Sequence, residues 1–251
     1  MADKKTKNEI ATAKKEFLCE NLSFAGKEAY KRLRTNIQFS FTDDVQGRVI
    51  GITSAQPSDG KSLTAVNLAY SMAQLDKKIL LIDADMRRSS IDKKLHMELS
   101  PGLSNLLTDV NNVGNIIHPY SPSDSSVPFD VLTAGDVPPN PSELLNSSRM
   151  ERLVGKLATV YDYIVIDLPP VGAVVDAQTV SKLVDGMLIV IRENHCNKYV
   201  LEECISQLNL TGAKILGFVV NGAVAGASKS YSYGKYGKYG SYSSYGSNYY
   251  N

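Results

Sequence analysis

VIGITSAQPSDGKSL, Val49 to Leu63, decides how the rest of the chain is read. Val49–Thr53 is apolar and β-branched and predicts a buried strand. Ser54 to Gly60 follows as a loop of small and turn-forming residues. Leu63, Ala65, Val66, Leu68, Ala69 and Met72 then recur at helical spacing. A strand, a small-residue loop, Gly60-Lys61-Ser62 and a helix form the context of a phosphate-binding loop. In such a loop, backbone N–H groups and the helix N-terminus converge on an anion. Pro57, Ser58, Asp59, Gly60, Lys61, Ser62 and Leu63 are therefore the candidate nucleotide-binding residues. Gly60 lets the backbone approach the phosphates, Lys61 reaches the β- and γ-phosphates, and the Ser62 hydroxyl can ligate Mg²⁺. The general pattern has glycine where this chain has Ala55. A chance Gly-Lys pair is the bland alternative, and the flanking strand and helix argue against it.

Two further apolar runs end in aspartate. KILLIDADMRR, Lys78 to Arg88, carries a strand over Ile79–Ile82 ending in Asp83 and Asp85. Its continuous apolar character predicts a central parallel strand. YIVIDLPP, Tyr163 to Pro170, ends in Asp167. Helix is predicted over 141–157, 176–184 and 198–208, and strand over 129–132, 187–191 and 214–221. Residues 89–128 are irregular. Strands alternating with helices imply a doubly wound, mostly parallel α/β sheet of the P-loop type, with right-handed connections. Ligands of such sheets sit at the C-terminal strand edge, where Asp83, Asp85 and Asp167 fall beside the phosphate loop. If the strand continues to Asp85, both early aspartates face one side. A lone aspartate is as well read as a loop carboxylate or a helix cap. Three such junctions with Gly-Lys-Ser point to a Mg²⁺-nucleotide site, with Ser62, Asp83, Asp85 and Asp167 as candidate metal ligands.

The 251 residues suit one α/β domain with a large core. Net charge is +1, so no global field points to nucleic acid. No apolar run approaches the length of a membrane span, and the Lys-rich N-terminus has no signal-peptide core. Cys19, Cys196 and Cys204 lack metal-ligand spacing and read as reduced thiols of a cytosolic protein. His96, His118 and His195 read as surface or loop histidines. Residues 1–25 are expected to form a flexible arm, and 26–227 the folded domain. Gly26 to Phe41 predicts a helix with Ala29, Leu33 and Ile37 on one stripe. Its charged face reads either as a solvated surface or as an interface.

From 228 to 251 the composition changes to eight Tyr, seven Ser, four Gly, three Lys and two Asn. No aliphatic side chain is left to nucleate a core, so this segment reads as a disordered tail. It is either an aromatic low-complexity segment or a set of tyrosines presented in extended form.

These motifs resemble those of the bacterial tyrosine kinases of capsule and exopolysaccharide synthesis, the BY-kinase family, over roughly Gly26 to the end. SAQPSDGKS is similar to that family's Walker A, ILLIDADMRR to its second Walker A′, and YIVIDLPP to its Walker B. EAYKRLRTN resembles its E-x-x-R-x-x-R interface motif, with Glu28, Lys31 and Arg34 at the three positions. NPSELL and the tyrosine-rich tail are further shared traits. Within the family, the streptococcal, Gram-positive arrangement is the one resembled. The resemblance implies an ATP- and Mg²⁺-dependent kinase that autophosphorylates tyrosines and regulates capsular polysaccharide synthesis and export. It implies a ring-like homo-oligomer, a membrane adaptor of the chain-length-determinant type, other protein tyrosine substrates and a cognate tyrosine phosphatase. The enzyme would be cytoplasmic and recruited to the inner face of the membrane through the adaptor.

Carried over by position, Lys61 neutralises the transferring phosphates, and Ser62 and Asp167 hold Mg²⁺. Asp83 and Asp85 flank the γ-phosphate; Asp85 is the first choice for accepting the tyrosine proton and Asp83 the rival. Asn221 resembles a base-contacting asparagine. Tyr231, Tyr233, Tyr236, Tyr239, Tyr242, Tyr245, Tyr249 and Tyr250 would be the phosphoacceptors. Arg87 and Arg88 read equally well as phosphate contacts or as surface arginines. Lys31 replaces an arginine and cannot make its two-pronged carboxylate contact. Asp59, where the family often has Glu, is expected to matter little if it faces solvent. A partitioning or positioning ATPase is the main alternative, but such proteins often carry lysine where Gln56 stands. A nucleotide-gated binding module without catalysis is the second.

Overall fold

The computed structural model describes residues 18–41, 45–108, 116–123 and 127–223. The eight tail tyrosines and residues 1–17 lie outside them. Seven strands form one sheet: β1 (Arg48–Ser54), β2 (Ile79–Asp83), β3 (His118–Tyr120), β4 (Phe129–Leu132), β5 (Tyr163–Asp167), β6 (Gly186–Arg192) and β7 (Ile215–Asn221). Their order across the sheet is β3-β4-β2-β5-β1-β6-β7. Every pairing is parallel except β3 with β4.

Helices cover both faces. They are α1 (Phe24–Phe39), α2 (Lys61–Ala73), α3 (Ile91–Leu95), α4 (Leu103–Thr108), α5 (Pro141–Leu145), α6 (Ser148–Ala158), α7 (Asp176–Val180) and α8 (Lys198–Leu210). The period-2 alternation of a strand sorts its side chains to the two layers. Ile79 and Leu81 of β2 and Val165 of β5 join Ile50, Ile52 and the α2 residues Val66, Leu68 and Met72 in one core. Leu80, Ile82, Ile164 and Ile166 join Met150 and Val154 of α6 and Leu208 of α8 in the other. Counting on by two places Asp83 and Asp167 on the α2 face. The β2–β5 register sets them side by side.

Local chemistry accounts for the differences from sequence expectation. The first helix starts at Phe24 rather than Gly26, because Ser23 Oγ accepts the Gly26 N–H and caps it. Just before it, in the segment expected to be a loose arm, Leu18 and Cys19 are buried, and the Cys19 N–H donates to Asn67 Oδ1 at 2.7 Å. The single helix expected over 141–157 is two: Ser147 Oγ accepts the Met150 N–H and starts α6 afresh. Residues 89–128, read as irregular, contain α3, α4 and the antiparallel edge strand β3. Three residues of β3, HPY, are too few to carry a period. Among the described residues no helix is long and apolar enough to cross a membrane.

Candidate nucleotide and phosphoryl-transfer site

The loop between β1 and α2 has the backbone of an anion cradle. Ser58 (φ +70°) and Gly60 (φ +95°) both lie in the left-handed region. The left-handed φ at Gly60 favours glycine, and a Cβ there would also stand 1.9 Å from Asn221 Nδ2 and displace that side chain. Asn221, from the end of β7, donates to the Asp59 carbonyl at 3.0 Å. It therefore braces the loop and is not among the cavity-lining residues. Ala55 has no positive φ and is buried. That position needs no glycine here, which accounts for the departure from the general pattern. Asp59 does not face solvent, so the condition under which it is expected to matter little is not met. It is fully buried, and its Oδ1 lies 2.8 Å from His195 Nδ1.

Lys61, the first residue of α2, reaches back over the sheet edge. Its Nζ lies 2.9 Å from Asp85 Oδ2, 3.5 Å from Asp167 Oδ1 and 3.4 Å from Ser62 Oγ. Burial alone would lower the pKa of the Lys61 ammonium, but Asp167 and Asp85 outweigh it and hold the group charged. Burial raises the Asp167 carboxyl, against the lowering by Lys61. Burial, and then the neighbouring Asp167, push Asp83 up to about 7.

The two aspartates of the DAD sequence differ in role. The strand ends at Asp83 and does not continue to Asp85, so their shared face does not follow from strand alternation. Asp83 Oδ1 accepts the Asp85 N–H at 3.1 Å, and its Oδ2 accepts the N–H groups of Ser90 (3.3 Å) and Ile91 (3.2 Å). Asp83 thus ties down the turn that presents Asp85. Asp85 spends Oδ1 on the Arg88 N–H and turns Oδ2 to Lys61. Asp85 lines a cavity of about 780 Å³ with Ser58, Gly60, Lys61, Ser62 and Arg88, whereas Asp83 and Asp167 lie behind it. Among the described residues no three carboxylate, imidazole or thiol groups form a ready-made metal cluster. The donors that fit a hard cation with retained waters are Ser62 Oγ, Asp85 Oδ2 and the buried Asp167 Oδ2, which has no hydrogen-bond partner. Asp83, with both oxygens engaged by backbone N–H groups, fits that role less well.

A family profile described as an AAA domain matches residues 47–215, most of the chain. The tyrosine-protein kinase YwqD of Bacillus subtilis is 36% identical over 206 residues, 82% of this chain and 85% of that protein. The chain belongs to the bacterial P-loop tyrosine-kinase family. The tyrosine-protein kinase CpsD of Streptococcus agalactiae is 35% identical over 83% of this chain and 90% of its own length. The solved kinase domain of the Escherichia coli tyrosine kinase ETK superposes with a TM-score of 0.77 at 34% identity, covering 86% of this chain and 83% of that one.

Of the other residues singled out by the kinase-family motifs, Glu28, Lys31 and Arg34 are not among the cavity-lining residues, whereas Arg87 and Arg88 are. Glu28 and Lys31 pair with each other along α1 at 2.7 Å, both half-exposed. Arg34 turns inward and donates to the Ser71 carbonyl of α2. Arg87 is tied by Nε to Asp176 Oδ2 at 3.0 Å and donates to Ser142 Oγ at 2.9 Å, and Ser142 in turn donates to Asp176. Arg88 has its backbone on Asp85 and its side chain at the cavity. Sequence reasoning missed Ser90, Lys94, Ala173 and Val174 of the cavity wall, and His195 beside Asp59. Only the order of strands brings these together.

Proposed function

We propose that the chain transfers the γ-phosphoryl group of ATP to tyrosine hydroxyls, including Tyr231, Tyr233, Tyr236, Tyr239, Tyr242, Tyr245, Tyr249 and Tyr250 of its own kind. The observation that carries this reading is Lys61 held between Asp85 and Asp167 at the floor of the cavity beside the phosphate loop. The loop backbone cradles the phosphates, and Lys61 leaves Asp85 to follow them. Asp85, released from its cation, then accepts the phenol proton. The phenol oxygen forms the new bond to phosphorus as the bond to the ADP oxygen breaks. A phenol has a pKa near ~10 and arrives protonated, but the transition state is loose, so positioning and charge neutralisation contribute more than proton removal. Ser62 and Asp167 would hold Mg²⁺, which supplies charge neutralisation at the phosphates, and Asp85 Oδ2 stays available for the proton.

The tail, with three lysines and no acidic residue, is drawn to the site once the anionic nucleotide occupies it. Each phosphotyrosine adds about −1.5 to −2 charges, so modification reverses that attraction. In this reading the tail of one subunit enters the site of its neighbour in a ring-like homo-oligomer. Glu28, Lys31 and Arg34 lie at that interface, and phosphorylation loosens it. The biological setting is capsule or exopolysaccharide synthesis, with a membrane adaptor that recruits and activates the kinase and a cognate phosphatase that resets it.

Incubation with ATP and Mg²⁺, probed for phosphotyrosine, tests the reading. The unaltered chain should label and Lys61→Met should not. ATP turnover to free phosphate with no modified tyrosine would instead identify a positioning-type ATPase.

A further inference from the structure

Asp59 and His195 stand 136 positions apart, yet their side chains meet at 2.8 Å. Asp59 is the residue before Gly60, and its carboxylate is fully buried, with Oδ2 unpartnered. His195 sits on the turn between β6 and α8 with its side chain 42% exposed. Gln56 at the other end of the loop donates from Nε2 to the His195 carbonyl at 2.7 Å and lies 2.9 Å from Nδ1. A carboxylate only accepts, so the network assigns the hydrogen on Nδ1 to the bond with Asp59, and Gln56 donates to the carbonyl. One residue thus holds positions 56 and 59 together. On the far side, Asn221 fixes the Asp59 carbonyl. The backbone that must aim its N–H groups at phosphate is therefore set from the β6 and β7 ends of the sheet, by residues that do not line the cavity.

We infer that His195 is a positioning residue for the phosphate loop, acting through Asp59 to set nucleotide affinity. The inference rests on the nucleotide reading of that loop but not on tyrosine transfer. Without the imidazole, a fully buried carboxylate loses its hydrogen-bond donor. The cost of such a loss is large enough to let the 56–60 backbone shift. Nucleotide binding then weakens, whereas the reacting groups Lys61 and Asp85, held by other contacts, keep their places.

The test uses the full chain with Mg²⁺ and the fluorescent probe N-methylanthraniloyl-ADP. His195→Ala should weaken its Kd about tenfold or more, and raise KM for ATP in parallel with kcat little changed. His195→Asn, whose amide N–H stands where Nδ1–H stood, should restore affinity. In a double-mutant cycle, His195→Ala should cost little further once Asp59→Ala is present, because both remove the same contact. An unchanged Kd in His195→Ala, a failed rescue by His195→Asn, or additive losses in the cycle would each overturn the inference. If His195→Ala does not fold, His195→Asn against Asp59→Ala still decides it: the inference requires the former to bind as the parent does and the latter more weakly. A parent chain that binds no nucleotide would sink the site reading as well.

Discussion

Replacing Lys61 by methionine should do more than stop phosphoryl transfer; it should make stability depend on pH. The Lys61 side chain is 12% exposed and pairs with Asp85 (7%) and Asp167 (0%). Asp83 lies beside Asp167 across the β2–β5 pairing. The substitution leaves three buried carboxyl groups around an apolar chain. Removing one partner of a buried pair costs about 3 kcal/mol or more, or roughly 6–12 °C in melting temperature for a chain of this size. The carboxyls can escape part of that cost by taking up protons. Burial and Asp167 already push Asp83 up to about 7, and Lys61 is the main influence lowering it. Without Lys61 the Asp83 and Asp167 values climb further. A carboxyl whose folded pKa lies above its unfolded value, ~3.9, is not penalised below that value. Its penalty grows as pH rises through the folded pKa. The deficit of Lys61→Met against the parent should therefore be small at pH 5 and clearly larger at pH 8. Thermal melting in EDTA without nucleotide reads it directly. A variant melting within roughly 2 °C of the parent at pH 8, or one with its larger deficit at pH 5, would refute the buried-pair argument.

Asp85→Asn should lower kcat about a hundredfold or more, with a smaller stability loss than Lys61→Met because Lys61 keeps Asp167 as a partner. Asp83→Asn should instead lose about 1–3 kcal/mol of stability, because its amide turns a donor onto the backbone N–H groups that the carboxylate accepts; melting and steady-state rates separate the two. A chain lacking residues 228–251 should bind N-methylanthraniloyl-ADP as the parent does and lose most of its own phosphotyrosine, as seen by immunoblot. Burial pushes the Cys19 and Cys204 thiols up to about 12, while Cys196 is partly exposed. Iodoacetamide at pH 8 should therefore modify Cys196 first and the other two only in denaturant, as read by mass spectrometry.

The central strands were legible because a parallel strand covered on both faces needs a continuous apolar run. Ile79–Ile82 and Tyr163–Ile166 supply such runs. The same runs locate Asp83 and Asp167, since the polar residue that ends each one must emerge at the sheet's ligand edge. Asp85 was legible as a site residue, but the reason for its placement was not. It is held by a turn that Asp83 anchors, not by strand alternation. The break at Ser147 was hidden because Leu145, Met150 and Val154 all feed one core, so helical periodicity runs straight across the cap.

The parts that escaped are contacts whose partners are far apart in sequence and belong to different crossovers. Asp59 carries no local mark of burial: its neighbours Ser58 and Gly60 read as an open loop. Its burial follows from β6 lying next to β1, which brings the turn carrying His195 against the phosphate loop. β6 is the fifth strand after β1 in the chain and yet its direct neighbour in the sheet. The same adjacency explains Asn221, since β7 extends the sheet beyond β6 and ends level with Gly60. In this sheet Lys61, Asp85 and Asp167, the groups proposed to act on the phosphates, follow or end β1, β2 and β5. The shape of the loop that must receive the phosphates is set from the opposite side, by β6 and β7. With His195 setting the loop as inferred, phosphate affinity and phosphoryl chemistry would rest on separate parts of one sheet, and substitutions should change either one alone.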